Sequence, residues 1–398
     1  MKILMLTPYL PYPLVSGGQI RTYNLLKHLQ DKHDITLFSF IRKDDERQYL
    51  PELEKFCRQV VVFPRRPAWS LSNILLAGFS AFPFVMISTY LSKTVRQAIA
   101  AAINREKYDV IHAEPFYMMP NIPKTHIPIL LVEQTIEYLV YQKYADDFSF
   151  WPLKLLLYLD VLKLRLWEQY FWRRATRLVA MSGQDRQIML KATHGHKQID
   201  VVANGVDIDY FNQIRRRRHS PPTILFVGNF KWLPNKDAAV FLAQEIWPLI
   251  KFKLPQARLW IVGANPTPEI KRLSKISDVV VEGEITDIRD AFSRADILLA
   301  PIRNGRGTKY KVLEAMATGL PVVTTPLGID GLDVVPGRHA LVATTAQDLA
   351  SATVKLINAQ PLGQKIAAAA KHLVTQKYNW SIISSNLDRI YQELGQRQ

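Results

Sequence analysis

The chain has 398 residues, enough for two domains, and 48% of them are hydrophobic, ample for buried cores. Lys+Arg 51 against Asp+Glu 35 leaves a formal net charge of +16, which suits nucleic acid, an anionic membrane face or a polyanionic substrate as partner. Nucleic acid is set aside because no RNA-binding signature or zinc-finger spacing is present, and the single cysteine, Cys57, excludes an intramolecular disulfide and a cysteine-based metal site.

Residues 2–7 (KILMLT) read as a first buried strand. The opening MKILMLTPYLPYP is too short in its apolar part for a signal peptide, and with one lone cysteine it points to a cytoplasmic protein. Gly17 and Gly18 follow in a loop, and a helix begins near Gln19. Strand, glycine loop and helix open a doubly wound sheet, without the spacing of a dinucleotide fingerprint. Further strands are expected at 35–40, 60–63, 109–112, 129–133 and 178–181. Ala68 to Ser92 carries no charge and is long enough to span a bilayer, but Gly78, Pro83, Asn73 and five serines favour two helices of a binding face. Trp151 to Arg177 reads as a long helix rich in Leu and aromatics with interleaved Lys and Arg, either lying on a membrane surface or packed as a core helix with basic solvent-facing positions. The run Arg215 to Arg218 reads as a solvated linker. A second α/β series has strands at 224–228, 259–263, 279–283, 297–301 and 321–325, with helices such as Asp237 to Lys251 between them, and a last helix from Tyr378 to Leu394.

The richest stretch is Pro301 to Gly328, PIRNGRGTKYKVLEAMATGLPVVTTPLG. It reads as strand, glycine loop, helix from about Lys309 to Thr318 ended by Gly319, and strand. Glu314 lies inside the apolar VLEAMA, so its carboxylate is expected to be largely buried and to need hydrogen-bonding partners, which two sugar hydroxyls would supply. Arg306, Gly307, Thr308, Lys309 and Lys311 place close backbone access and positive charge at a helix start, which suits a diphosphate. The alternative is a plain loop with Glu314 paired to a lysine.

KVLEAMATGLPVVTT resembles the donor-site helix of the family 4 glycosyltransferases of the GT-B fold. The resemblance implies a Glu, seven residues, Glu pattern ending at Glu314, the ribose-binding residue; the first Glu falls at residue 306, where this chain has Arg306. It further implies that Gly17, Gly18 and Tyr23 match the loop that abuts the donor phosphates. Gly228, Asn229 and Lys236 resemble a strand end that normally reads Gly-Arg followed by Lys, and Gly283 resembles the strand end that meets the nucleobase. His112 and Glu137 are the candidates for catalysis, His112 having a hydrogen-bonded structural role as its alternative; Gln134-Thr135-Ile136-Glu137 stands where relatives often have His-Asn-Val/Ile-Glu.

The expected fold is therefore α/β, two doubly wound Rossmann-like domains facing across a cleft. Residues 1–200 would hold the acceptor, 201–375 the nucleotide sugar, and 376–398 would form a helix packing back on the N-terminal domain. The implied activity is retaining transfer of a sugar from a nucleoside diphosphate sugar to a hydroxyl of a glycan or lipid-linked acceptor, in cell-surface polysaccharide synthesis. No cofactor and no metal are expected, and an anionic membrane surface on the inner face of the plasma membrane is an expected partner. The alternatives are a GT-B sugar-nucleotide 2-epimerase and a catalytically inactive membrane-surface binding protein.

Overall fold

The computed structural model describes residues 1–67, 75, 80–84, 89–214, 219–305, 307 and 309–396. The two-helix reading of 68–92 and the linker reading of Arg215 to Arg218 fall largely or wholly outside them. The chain groups into two units: Met1–Asn204 with Ile383–Gln398, and Gly205–Ile382.

The first unit is a seven-stranded parallel sheet in the order β3-β2-β1-β4-β5-β6-β7. Its strands are β1 Lys2–Thr7, β2 Asp34–Ile41, β3 Gln59–Pro64, β4 Val110–Ala113, β5 Ile129–Val132, β6 Arg177–Ala180 and β7 Ile199–Val201. Strands β1, β4, β5 and β6 are near-continuous apolar runs because helices cover both faces of such a sheet. Helix α1, Gly17–Leu29, starts where Ser16 accepts from Gln19 N, a short polar side chain capping an orphan N–H. Helices α2 Lys93–Arg105, α3 Glu137–Asp147, α4 Trp151–Arg174 and α5 Gly183–Ala192 complete the crossovers. Helix α4 ends before the expected Arg177, which opens β6 and is buried between Asp200 and Glu393.

The second unit has six parallel strands in the order β10-β9-β8-β11-β12-β13. They are β8 Thr223–Val227, β9 Arg258–Val262, β10 Val279–Glu282, β11 Ile297–Ala300, β12 Val322–Thr324 and β13 Leu341–Val342. The single helix expected from Asp237 is instead α6 Leu233–Phe241, one π-turn at Leu242–Ile246 and α7 Trp247–Lys253. Pro234 and Pro248 occupy first turns, where a missing N–H costs nothing, so the helix starts early and then restarts. Helix α8 is Ile288–Ser293 and α9 is Tyr310–Ala317. Gly319, at φ +72, closes α9 as Leu320 N reaches Ala315 O. Helices α10 Ala346–Asn358, α11 Gln360–Lys377 and α12 Trp380–Gly395 finish the chain, with α12 residues from Ile383 onward grouped in the first unit.

Both strand orders reverse direction once, between β1 and β4 and between β8 and β11. In doubly wound sheets that point opens a crevice at the carboxyl ends of the strands.

Candidate functional site

In the second unit the expected residues converge at the carboxyl end of the sheet. Gly228 and Asn229 follow β8, Gly283 follows β10, and the loop to Lys309 follows β11. That loop docks on the start of α6: Arg303 pairs with Asp237 at 2.7 Å, and Asn304 Nδ2 donates to Asp237 Oδ2 at 3.3 Å. Gly305 has φ +94, and a Cβ there would come within 2.8 Å of Pro234 Cγ, so only glycine fits. Gly307, at φ +86, is exposed with open space where a Cβ would be. Arg306 and Thr308 lie outside the described residues.

Lys309 folds back on its own loop, donating to Gly305 O at 3.2 Å and Gly307 O at 2.8 Å. Lys311 crosses the switch point: its Nζ donates to Asn235 Oδ1 at 2.7 Å and lies 4.5 Å from the centre of the Phe226 ring. Burial lowers the Lys311 ammonium to about 7, helped by Lys309 and opposed by Glu314. Burial likewise lowers Lys309 to about 8. Burial raises Glu314 to about 7 against the pull of Lys311. The Glu314 carboxylate is only partly exposed, Tyr310, Lys311 and Glu314 forming the less covered face of a helix whose other residues are buried. It makes no hydrogen bond to any described residue. The site thus gathers two amines and a carboxyl whose charged forms are all disfavoured by burial.

The flanking candidates divide. Gly228 N donates to Val262 O at 3.0 Å, and a Cβ at this position would press on Asn235, 3.0 Å from its Cγ. Gly283 would meet nothing within 4 Å, so its backbone faces open space. The Lys236 side chain is half-buried and receives no described carboxylate. Asn229 helps shape its own turn: its Oδ1 accepts from Lys231 N at 3.0 Å and Asn265 Nδ2 at 3.1 Å, and its carbonyl accepts from Asn235.

In the first unit the carboxyl ends of β1 and β4 carry a buried polar network that sequence reasoning only partly anticipated. Arg21, fully buried, donates to Glu114 Oε1 at 2.8 Å, Ala203 O at 2.9 Å and Asn204 Oδ1 at 3.2 Å. Gln134 donates to the same Glu114 oxygen at 3.1 Å and accepts from the Tyr9 hydroxyl at 2.8 Å. Burial pushes Glu114 up, yet Arg21, His112 and Gln134 pull it down to about 2 overall. The signal for Arg21 was available: it shares the i, i+4 row with Leu25 and Leu29, a charge in a buried stripe. Gly18 has no room for a side chain, because a Cβ there would overlap the Tyr9–Gln134 pair, while Gly17 is exposed at the helix start. Tyr23 donates to Glu52 at 2.7 Å.

His112 is hydrogen-bonded within the first unit. It is the third residue of β4 and fully buried, with Nδ1 on the Tyr391 hydroxyl and Nε2 3.3 Å from Glu114 Oε2. Helix α12 covers it, so it holds Glu114 and Tyr391 and does not face solvent. Glu137, by contrast, opens α3 half-buried, its carboxyl free of described hydrogen bonds and raised by burial to about 7. Behind it, buried Glu168 accepts from Glu137 N at 2.9 Å and Tyr138 N at 3.1 Å, capping α3 from α4. Glu133 accepts from Trp172 at 2.8 Å and is raised to about 8 by burial.

Among the described residues no group of three or more His, Cys, Asp or Glu side chains is placed to hold a metal ion, and no helix is long and apolar enough to cross a membrane.

Comparison with known proteins gives this geometry a family. Residues 15–210 match the family described as Glycosyltransferase Family 4, and residues 221–359 match Glycosyl transferases group 1. The phosphatidyl-myo-inositol mannosyltransferase of Mycobacterium leprae is 24% identical over 348 residues, covering 84% of this chain and 88% of its own. Among solved structures, the sucrose-phosphate synthase of Thermosynechococcus elongatus superposes with a TM-score of 0.72 at 16% identity, over 100% of both chains. Anabaena HepE, in complex with UDP, superposes with a TM-score of 0.68 at 17% identity, over 99% of this chain and 100% of its own. Two doubly wound sheets, the matched models and these relatives agree: the chain belongs to the family 4-like glycosyltransferases of the GT-B fold.

Proposed function

We propose that this glycosyltransferase moves a sugar, with retention, from a nucleoside diphosphate sugar to a hydroxyl of a glycan or lipid-linked acceptor, for cell-surface polysaccharide, at the inner face of the plasma membrane. The observation that carries the donor half is the trio of half-buried Lys309, Lys311 and Glu314, the last without a hydrogen bond from its carboxyl to any described residue, at the switch point of the second sheet. A diphosphate would hold both lysines as ammoniums, and ribose hydroxyls would donate to Glu314 as carboxylate. Gly283 leaves its backbone open to a base, and Lys236 is available to phosphate. That HepE was solved in complex with UDP supports a nucleotide ligand, and the mannosyltransferase relative, whose name specifies phosphatidyl-myo-inositol, supports a lipid-linked acceptor.

On the acceptor half we assign Glu137 as the group that takes the hydroxyl proton, since its carboxyl is accessible and titrates near neutrality. His112 is assigned a positioning role through Glu114. The lysines supply the charge that a metal would otherwise bring to the diphosphate, so no metal is assigned.

The test is a thermal-shift screen of UDP, GDP and their sugars, run in parallel with excess chelator and with added Mg²⁺. Ligand binding only the folded protein adds about 2.7 kcal/mol at 100 times Kd. A stabilising nucleoside diphosphate with no response to the bare nucleoside supports the reading; no response to any nucleotide, or one that requires Mg²⁺, overturns it. Incubation with a nucleotide sugar alone separates transfer from 2-epimerisation, which would change the sugar without an acceptor.

A further inference from the structure

Helix α4 is apolar on two opposite faces. Val161, Leu164, Glu168, Phe171 and Trp172 face the sheet and are buried. On the other side Trp151, Leu155, Leu159, Leu162, Leu166 and Tyr170 recur at spacings of four, four, three, four and four, one continuous helical stripe. All six are open to solvent, Trp151 at 71% and Leu166 at 60%. The neighbouring Tyr144 and Phe150 extend the same surface toward α3. An isolated exposed leucine needs no account, but six large apolar side chains in one row do. The expectation of basic solvent-facing positions is met only at the margins: the outermost row is apolar, and the cations stand beside it.

Those cations set the chemistry of whatever covers the stripe. Lys154 and exposed Arg165 stand on its borders and exposed Arg173 and Arg174 at its carboxyl end. Lys154 donates to a backbone carbonyl, Asp146 O, and Arg165 lies over the Tyr138 ring, so neither contact cancels the charge. The acids of α4 itself point away: Glu168 is buried under α3, and Asp160 accepts from Phe84 N. Two exposed acids, Asp146 and Asp147, lie at the end of α3, where Tyr158 and Lys143 engage them. A second copy of this chain docked two-fold on the stripe would set cation against cation. An anionic lipid surface has the complementary sign and accepts the apolar row into its acyl boundary.

We propose that the outward stripe of α4 is the surface by which the protein lies on an anionic membrane, the helix parallel to the bilayer and its cations at headgroup level. This rests on the reading that the acceptor is lipid-borne, and it names the face that meets it. The helix lies on the bilayer rather than crossing it, because no helix among the described residues meets the length and apolarity of a span.

The full chain is to be mixed with sedimenting vesicles of phosphatidylcholine alone or with about a third phosphatidylserine. Binding is expected only to the anionic vesicles and is expected to fall in high salt. Leu159→Ser with Leu162→Ser should weaken it about tenfold or more at unchanged Tm, since both side chains are already exposed. Arg165→Gln with Arg173→Gln should weaken binding and its salt dependence together. Equal binding to both vesicle types, or wild-type binding by the leucine pair, overturns the proposal. So does a stable dimer in solution that the leucine pair dissolves, which assigns the stripe to a second copy. Thermal shift with UDP and GDP on the same samples separates the two readings: nucleotide binding without vesicle binding sinks the docking face alone, and vesicle binding without nucleotide binding sinks the donor site alone.

Discussion

Burial disfavours the ionised form of the Glu314 carboxyl, and on the proposed donor reading ribose hydroxyls would offset that cost. Its folded pKa of about 7 lies above the ordinary 4.5, so between those values the folded state keeps a proton that the unfolded chain has released. Stability therefore falls as pH rises through that window, and above it the cost is complete. Glu314→Gln should raise Tm more at about pH 8 than at about pH 5, because Lys311, itself lowered to about 7, has little charge left to pair at the higher pH. The same substitution should weaken nucleotide binding by about 1.5–3 kcal/mol, the scale of hydrogen bonds to a charged group. Calorimetry and titration on one sample decide it; a lower Tm with unaltered affinity would make Glu314 a structural ion-pair partner. Glu137 has the opposite use for a similar pKa. As a base it must be ionised, so kcat/KM should climb through about pH 7 and then level, and Glu137→Gln should lose both rate and that limb. A pH profile unchanged in the glutamine variant would remove Glu137 from the chemistry.

The elements show which features can be read in a chain and which cannot. ILLV, VVVF and ILLAP were legible as strands because a parallel sheet covered on both faces asks for uninterrupted apolar side chains. The loop from Pro301 and its helix were legible because glycines, lysines and a lone carboxylate are improbable neighbours in one buried segment. The early start of α6 was not, since Trp232 at its N-cap offers no capping side chain and the signal is a proline one turn in. Two-residue β13 is too short for any period to appear. The surroundings of His112 were not legible for a different reason: what buries it is Tyr391, and 279 residues of separation leave no local trace. Glycines of the donor loop give an element-level test. Gly305→Ala puts a Cβ against Pro234 at a φ of +94, so it should cost about 1–2 kcal/mol of stability and loosen nucleotide binding with it. Gly283→Ala meets only open space and should leave Tm alone, yet it should weaken binding if a nucleobase lies along that backbone. Equal losses of Tm in both variants would argue that neither loop is shaped for a ligand.

At the scale of the whole molecule, the second unit is an insert in the first: residues 205–382 lie between two segments that build one body. The returning segment brings side chains that nothing else replaces. Glu393 pairs with buried Arg177 at 2.6 Å, Asp388 with Lys32 and His33, and Tyr391 covers His112. Ending the chain after residue 382 should therefore leave Arg177 with Asp200 alone and uncover His112, costing several kcal/mol in the first unit, the scale of breaking a buried pair. Limited proteolysis of that shortened chain should cut within 1–204 and spare 205–382; equal resistance of both would show that residues 383–395 only decorate the surface. The insertion also fixes an order of events at the ribosome. Translation proceeds at about 5–20 residues per second, and units fold as they emerge. The second unit has all its residues first, while the unit that began earlier must wait for residue 395 before its last charges find partners. On the proposed assignment of the two units, the nascent chain could for those seconds bind donor with its acceptor side unfinished, so that a nucleotide sugar would act on the growing chain as a folding ligand before it serves as a substrate.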